Sequence, residues 1–183
     1  MTLYIALLRG INVGGHRIKM ERLRELFAEL GLSNVRTHIQ SGNVFFESPE
    51  TDRDALTTAI EAHLARALGY KVPVFLRTPA ELERSLHPNP FQGVALTPDT
   101  RFLVTFTRAA LQSEAPLPIR SPKNDLEILA VAPGELFVVL HLMDGKWGNL
   151  ERFLAQTFGI KTLVVTTRFY DTTLKILQAS QKL

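Results

Sequence analysis

Leu7-Leu8-Arg9-Gly10-Ile11-Asn12-Val13-Gly14-Gly15-His16, followed through Arg17 and Ile18 by Lys19 and Met20, is the stretch on which the reading of the chain turns. The apolar run Leu3 to Leu8 predicts a strand, and three glycines within the next residues predict a loop whose backbone takes positive φ and gathers N–H groups into one concavity. Such a nest attracts an anion. A helix beginning near Lys19 aims its N-terminal partial positive charge at the same place, with Arg9, His16, Arg17 and Lys19 close in sequence. Phosphate or carboxylate is the expected occupant. The competing reading is that Gly10, Gly14 and Gly15 only permit a tight turn and close helix packing, since an isolated glycine loop is a weak signal.

Outward from the loop, Met20, Leu23, Phe27 and Leu30 form the apolar stripe of a helix closed by Gly31. Val35, Thr37 and Ile39 alternate with polar residues, and Ser41-Gly42-Asn43 supplies turn chemistry before Val44-Phe45-Phe46, which predicts a hairpin. Thr51 with Asp54 resembles a capping box for a second helix carrying Leu56, Ile60, Leu64 and Leu68 and ending at Gly69. Val72, Val74 and Leu76 make a fourth strand beside Pro73, which cannot donate to a ladder. Strand, helix, strand, strand, helix, strand is the split βαβ order of ferredoxin-like folds. A short helix from Pro79 to Leu86 and a proline-rich loop to Pro98 lead to the second half, with the division placed at 1–97 and 98–183.

There Arg101 to Phe106, Leu126 to Val131 and Leu136 to Leu140 predict strands, and Leu150, Phe153, Leu154 and Phe158 a helix stopped by Gly159. Leu163-Val164-Val165 predicts a last strand, and Asp171 the cap of a last helix. The fold class expected is therefore α+β, two packed ferredoxin-like halves of βαββαβ-related order, the second degenerate, with a single structural domain as the alternative division. Both faces of the Leu3 to Leu8 strand call for burial, most simply by helices on one side and the second half on the other. An RNA-binding face is disfavoured, because Asn43-Val44-Phe45-Phe46 lacks the basic, glycine and aromatic order such a strand needs.

The 183 residues, 45% of them hydrophobic, suffice for a sizeable core, and a net charge of +3 with a pI near 9.4 requires any basic function to be local. With no cysteine, thiolate nucleophiles, disulfides and Cys-bearing zinc sites are excluded, and the composition suits a reducing cytoplasm. The first apolar run is too short, and too soon followed by Arg9, for a signal peptide or a membrane span. The five histidines show no metal-ligand spacing, no GxSxG elbow is present, and the glycines match neither GxGxxG nor a Walker loop. No metal, no cofactor and no recognisable catalytic constellation are expected. Arg168, between Thr167 and Phe169, completes the polar candidates, although an arginine so placed is more ordinarily a surface ion-pair residue.

The motifs LLRGINVGG, Lys19-Met20, THIQSGNVF from Thr37 to Phe45, and Asn89-Pro90-Phe91 resemble the bacterial domain of unknown function 1697 family over nearly the whole chain. The resemblance implies a unit of two ferredoxin-like-related halves and no established activity. Where the family pattern runs Thr-Thr-Arg-Asn-Trp and then threonine, this chain has Thr166-Thr167-Arg168-Phe169-Tyr170-Asp171-Thr172, which alters any ligand contact the Asn and Trp make in relatives.

The function expected is binding of a small anionic or phosphorylated ligand, with Arg9, Gly10, Asn12, Gly14, Gly15, Lys19 and Arg168 as ligand residues. The alternative is a nucleic-acid or protein interaction module on a basic face of Arg17, Lys19, Arg22 and Arg24. Taking the first and third strands as parallel, the glycine loop and Ser41-Gly42-Asn43 are expected at opposite ends of the sheet. A strand length of about 17–20 Å would then keep one small ligand from touching both.

Overall fold

The computed structural model describes residues 1–113, 115–160 and 163–182, in which two antiparallel sheets and five helices are found. The chain divides into two compact units, Met1–Glu83 with Lys175–Leu183, and Arg84–Leu174. The sequence boundary near residue 97 lies inside the second of these.

In the first unit, β1 (Thr2–Leu8), α1 (Met20–Ala28), β2 (Ser33–Thr37), β3 (Asn43–Ser48), α2 (Arg53–Leu68) and β4 (Val74–Arg77) follow the predicted order, and the sheet runs β2-β3-β1-β4. Alternation along the strands puts Tyr4, Ala6, Leu8, Val44, Phe46, Val74 and Leu76 on one face, where they meet Leu23, Leu26 and Phe27 of α1 and Leu56, Ile60 and Leu64 of α2. Each buried valine, leucine, isoleucine or phenylalanine among them stabilises the fold by about 1.5–3 kcal/mol relative to exposure. The alternate residues Ile5, Leu7, Phe45 and Phe75 are buried as well, as the two-sided apolar pattern requires.

The pairing corrects one expectation outright. β1 pairs with β3 antiparallel, Leu7 opposite Asn43, and β2 is antiparallel to β3 in turn. The strand that shares β1's direction is therefore β2, returned by the crossover through α1, with the reversed β3 inserted between them. The start of α2 differs too: Asp52, not Thr51, is the N-cap, its Oδ1 accepting from the N–H groups of Asp54 and Ala55 at 3.0 Å. Gly69 closes α2 in the left-handed region at φ 80°, as read from the sequence.

The second unit contains β5 (Thr100–Phe106), β6 (Ile119–Arg120), β7 (Leu126–Ala132), β8 (Glu135–His141), α4 (Leu150–Thr157) and β9 (Thr166–Phe169), in the sheet order β6-β7-β8-β5-β9. Leaving aside the two-residue edge strand β6, the order second-third-first-fourth of the first unit recurs. The segment between β5 and β7 carries β6 where the first unit has a crossover helix. Leu103, Leu126, Ile128, Leu136 and Val138 pack against Phe153 and Leu154 of α4. Leu163 joins this core without forming a ladder, which is why the last strand begins at Thr166 and not at the apolar run. Helix α3 (Pro79–Leu86) precedes the second sheet and α5 (Tyr170–Gln181) ends the chain, with Asp171 inside the first turn of α5 and not at its cap.

The start of α3 is a capping box: Glu81 N–H donates to Thr78 Oγ1 (3.3 Å), Thr78 N–H donates to Glu81 Oε2 (2.8 Å), and Arg53 Nη2 donates to Glu81 Oε1 at 2.7 Å. Burial raises the Glu81 carboxyl, but Arg53 and Thr78 outweigh it and hold the pKa below its ordinary 4.5. A folded pKa below the unfolded one gives stability that is present above about pH 4.5 and lost as pH falls through the lower folded value. Glu81→Gln is therefore expected to lower stability at pH 7 by about 0.5–1 kcal/mol, allowing for the solvent around this half-exposed pair. Urea denaturation should show that deficit shrinking at pH 3, and an undiminished deficit there would count against the charge pair.

Candidate functional site

Because β1 and β3 are antiparallel, the loop leaving β1 and the turn entering β3 lie at the same end of the sheet. They are in contact. Leu8 N–H donates to Gly42 O (2.8 Å), and Asn12 Nδ2 donates to Gln40 O (3.1 Å). The expected separation by a strand length is thus overturned.

Gly42 has φ 75°, and a Cβ there would stand 3.1 Å from both Leu8 Cβ and Ile11 Cβ. The turn residue is glycine for two independent reasons, backbone conformation and close approach. Asn43, fully buried, holds the turn from within: its Nδ2 donates to His38 O (3.1 Å) and Ser41 Oγ (3.0 Å). Ile39 takes φ 52° in this turn, an uncommon conformation for a β-branched residue, and is 49% exposed.

The glycine loop has the predicted backbone, with Gly10 at φ 78°, Gly14 at 58° and Gly15 at 92°. Asn12, itself at φ 57°, spans the loop: its Oδ1 accepts from Ile18 N–H at 2.8 Å while its Nδ2 reaches Gln40. One side-chain amide therefore ties the loop, the approach to α1 and the β2–β3 turn together. Arg17 Nη1 donates to the carbonyls of Asn12 (3.0 Å) and His16 (3.2 Å), bracing the same loop. The His16 ring stacks on Tyr70, 3.7 Å between centroids.

Between these parts lies a groove of about 780 Å³ lined by Asn12, Arg17, Ile18, Lys19, Met20, Glu21 and Gln40. Lys19 stands at the N-cap of α1 in extended conformation and makes no side-chain cap, since an ammonium has nothing with which to accept from a backbone N–H. The Glu21 carboxyl lies below its ordinary range because its own backbone N–H, then Arg24, bind it.

Of the sequence-predicted ligand residues, Asn12 and Lys19 line the groove, and Gly10, Gly14 and Gly15 shape the loop. Arg9 is half-buried where β1 ends, its N–H donating to Pro73 O at 2.9 Å. Arg168 belongs to the second unit and does not lie at the surface: it is buried at 9% exposure, with Nη1 donating to Thr166 Oγ1 (2.9 Å) and Thr167 O (3.0 Å). Burial pushes its guanidinium down to about 10. Beside it, at the departure from the family pattern, Phe169 is exposed and Tyr170 packs edge-on to Phe91.

The predicted ligand residues leave out Arg17, Glu21 and Gln40, which also line the groove. The signal for Gln40 was present in its position before Gly42, once β3 is read as antiparallel to β1. Among the described residues no three histidine, aspartate or glutamate side chains gather as metal ligands, and no helix is long and apolar enough to cross a membrane.

The chain belongs to the family described as protein of unknown function (DUF1697), whose model matches residues 1–137. In structure it is similar to a conserved bacterial protein from Streptococcus pneumoniae, at 24% sequence identity and a TM-score of 0.66, with 100% of this chain and 99% of that one covered. That likeness speaks for the fold alone. No curated protein matches the chain.

Gly42→Ala is expected to destabilise the protein by about 1–3 kcal/mol, from strain at positive φ together with the crowding of Leu8 and Ile11. The urea midpoint measures this at constant slope, and a loss smaller than about 0.5 kcal/mol, within the range of ordinary surface substitutions, would contradict the close approach.

Proposed function

We propose that the groove between the glycine loop, the start of α1 and the β2–β3 turn binds a small anionic or phosphorylated molecule. The observation that carries this reading is the convergence of Arg17, Lys19, Asn12 and Gln40 on one groove beside three glycines at positive φ. Cationic heads and amide donors are the groups that recognise phosphate or carboxylate oxygens, and the α1 N-terminus adds a favourable partial charge. The helix end counts for less than the side chains, because one of its donors, the Glu21 N–H, is taken up by the Glu21 carboxylate.

The rival reading, a nucleic-acid or protein module on the basic face of α1, has weaker support. Arg22 is bound by Glu25 (3.0 Å) and Glu29 (2.8 Å), and Arg24 by Glu21 (3.3 Å) and Thr37, so half of that face is already matched by acids on its own helix. As to fold, we read both units as ferredoxin-like, the second with β6, among the described residues, where the first has its first crossover helix; the recurring strand order supports this. A cytoplasmic setting accords with a cysteine-free chain.

Thermal-shift titration with phosphate, nucleotides and sugar phosphates is expected to raise the melting temperature. Lys19→Ala should weaken binding about tenfold, the scale of one charge-assisted hydrogen bond, and Gly14→Val should abolish it by forcing a β-branched residue to φ 58°. A flat response to every ligand would reject the proposal. Duplex binding with a salt slope of roughly 0.9 per neutralised phosphate would favour the rival.

A further inference from the structure

The groove contains two cations and one carboxylate, and that mixture bears on which anions it can hold. Arg17 lies in the loop with Asn12, Gln40 comes from the β2–β3 turn, Lys19 stands at the N-cap of α1, and Glu21 enters from the first turn of that helix, near enough to Lys19 for its ammonium to help lower the Glu21 carboxyl. Its carboxylate is positioned and yet open: Oε1 accepts a long bond from Arg24 Nη2 (3.3 Å), Arg24 Nη1 is anchored on Thr37 Oγ1 (2.8 Å), and the Glu21 side chain remains 71% exposed. Glu25 and Glu29, by contrast, are taken up by Arg22 on the outer face of the helix. A bare anion filling the groove would lie against the Glu21 charge, while a ligand that offers a donor there would gain from it.

We infer that the ligand is bipolar, a phosphate ester of a polyol whose phosphate faces Arg17 and Lys19 and whose hydroxyls donate to Glu21. This rests on the anion-binding reading above. Half-buried Ile18 and Met20, which also line the groove, offer apolar contact to the carbon skeleton. Glu21 is an acceptor at neutral pH, since its own backbone N–H and Arg24 favour the ionised form. The anchoring of Arg24 on β2 orients that acceptor before the ligand arrives, which limits the ordering cost of binding.

The test is calorimetric titration of the full chain and of Glu21→Gln with ribose 5-phosphate, ethyl phosphate and inorganic phosphate. Ribose 5-phosphate should bind the wild-type chain about tenfold more tightly than ethyl phosphate, as expected for hydroxyls donating to a charged acceptor. In Glu21→Gln the preference should fall to within about twofold, with ethyl phosphate bound equally well or more tightly because a repelling charge is gone. Equal affinity for the two esters in the wild-type chain, or a preference that survives in Glu21→Gln, overturns the bipolar ligand and leaves the anion groove standing. Binding of none of the three overturns both.

Discussion

The antiparallel pairing of β1 with β3, closed by Leu8 N–H on Gly42 O, is the constraint on which the rest of this end of the first unit depends. It brings the two glycine-bearing connections to one place and leaves no room for a side chain where they touch. With Gly42 against Leu8 and Ile11, the loop after β1 is packed on one side by the turn before β3. The groove opens where the loop, the start of α1 and Gln40 of that turn meet.

Amide side chains complete what the strand ladder begins. Asn43 is buried within the turn and Asn12 crosses from loop to turn to helix approach, each replacing hydrogen bonds that irregular backbone cannot make with itself. Asn12 thereby belongs to the framework as much as to the groove surface. Residues with both functions make poor first choices for mutagenesis, because loss of binding and loss of the loop would coincide. Lys19 and Glu21 are cleaner probes, being exposed and outside those bonds.

The charge pattern follows from the same geometry. Basic residues on α1 that face outward are matched by glutamates one or two turns along the helix, and those near the loop are the ones that reach the groove. Net charge is therefore a poor guide to this protein, and local placement a good one. The second unit repeats the strand order of the first, yet at its last strand it carries a buried arginine, Arg168, where the sequence reads as a surface position.

What the amino-acid sequence determined by itself is local: the strand and helix periods, the positive-φ glycines at 10, 14, 15 and 42, the left-handed close of α2 at Gly69, and the composition of the glycine loop. These depend on φ preferences and on the spacing of apolar residues, which a short window contains. Nearby alternatives still competed, so that Asp52 displaced Thr51 at a cap and the last strand began past Leu163-Val164-Val165. Only the tertiary structure decided that Gln40 meets Asn12, that Glu21 enters the groove, and that Arg168 is buried. Those outcomes depend on which strands pair and in which direction, a choice made by burial and hydrogen bonding between residues far apart in the chain, and no local pattern near Gly14 or Gly42 records it.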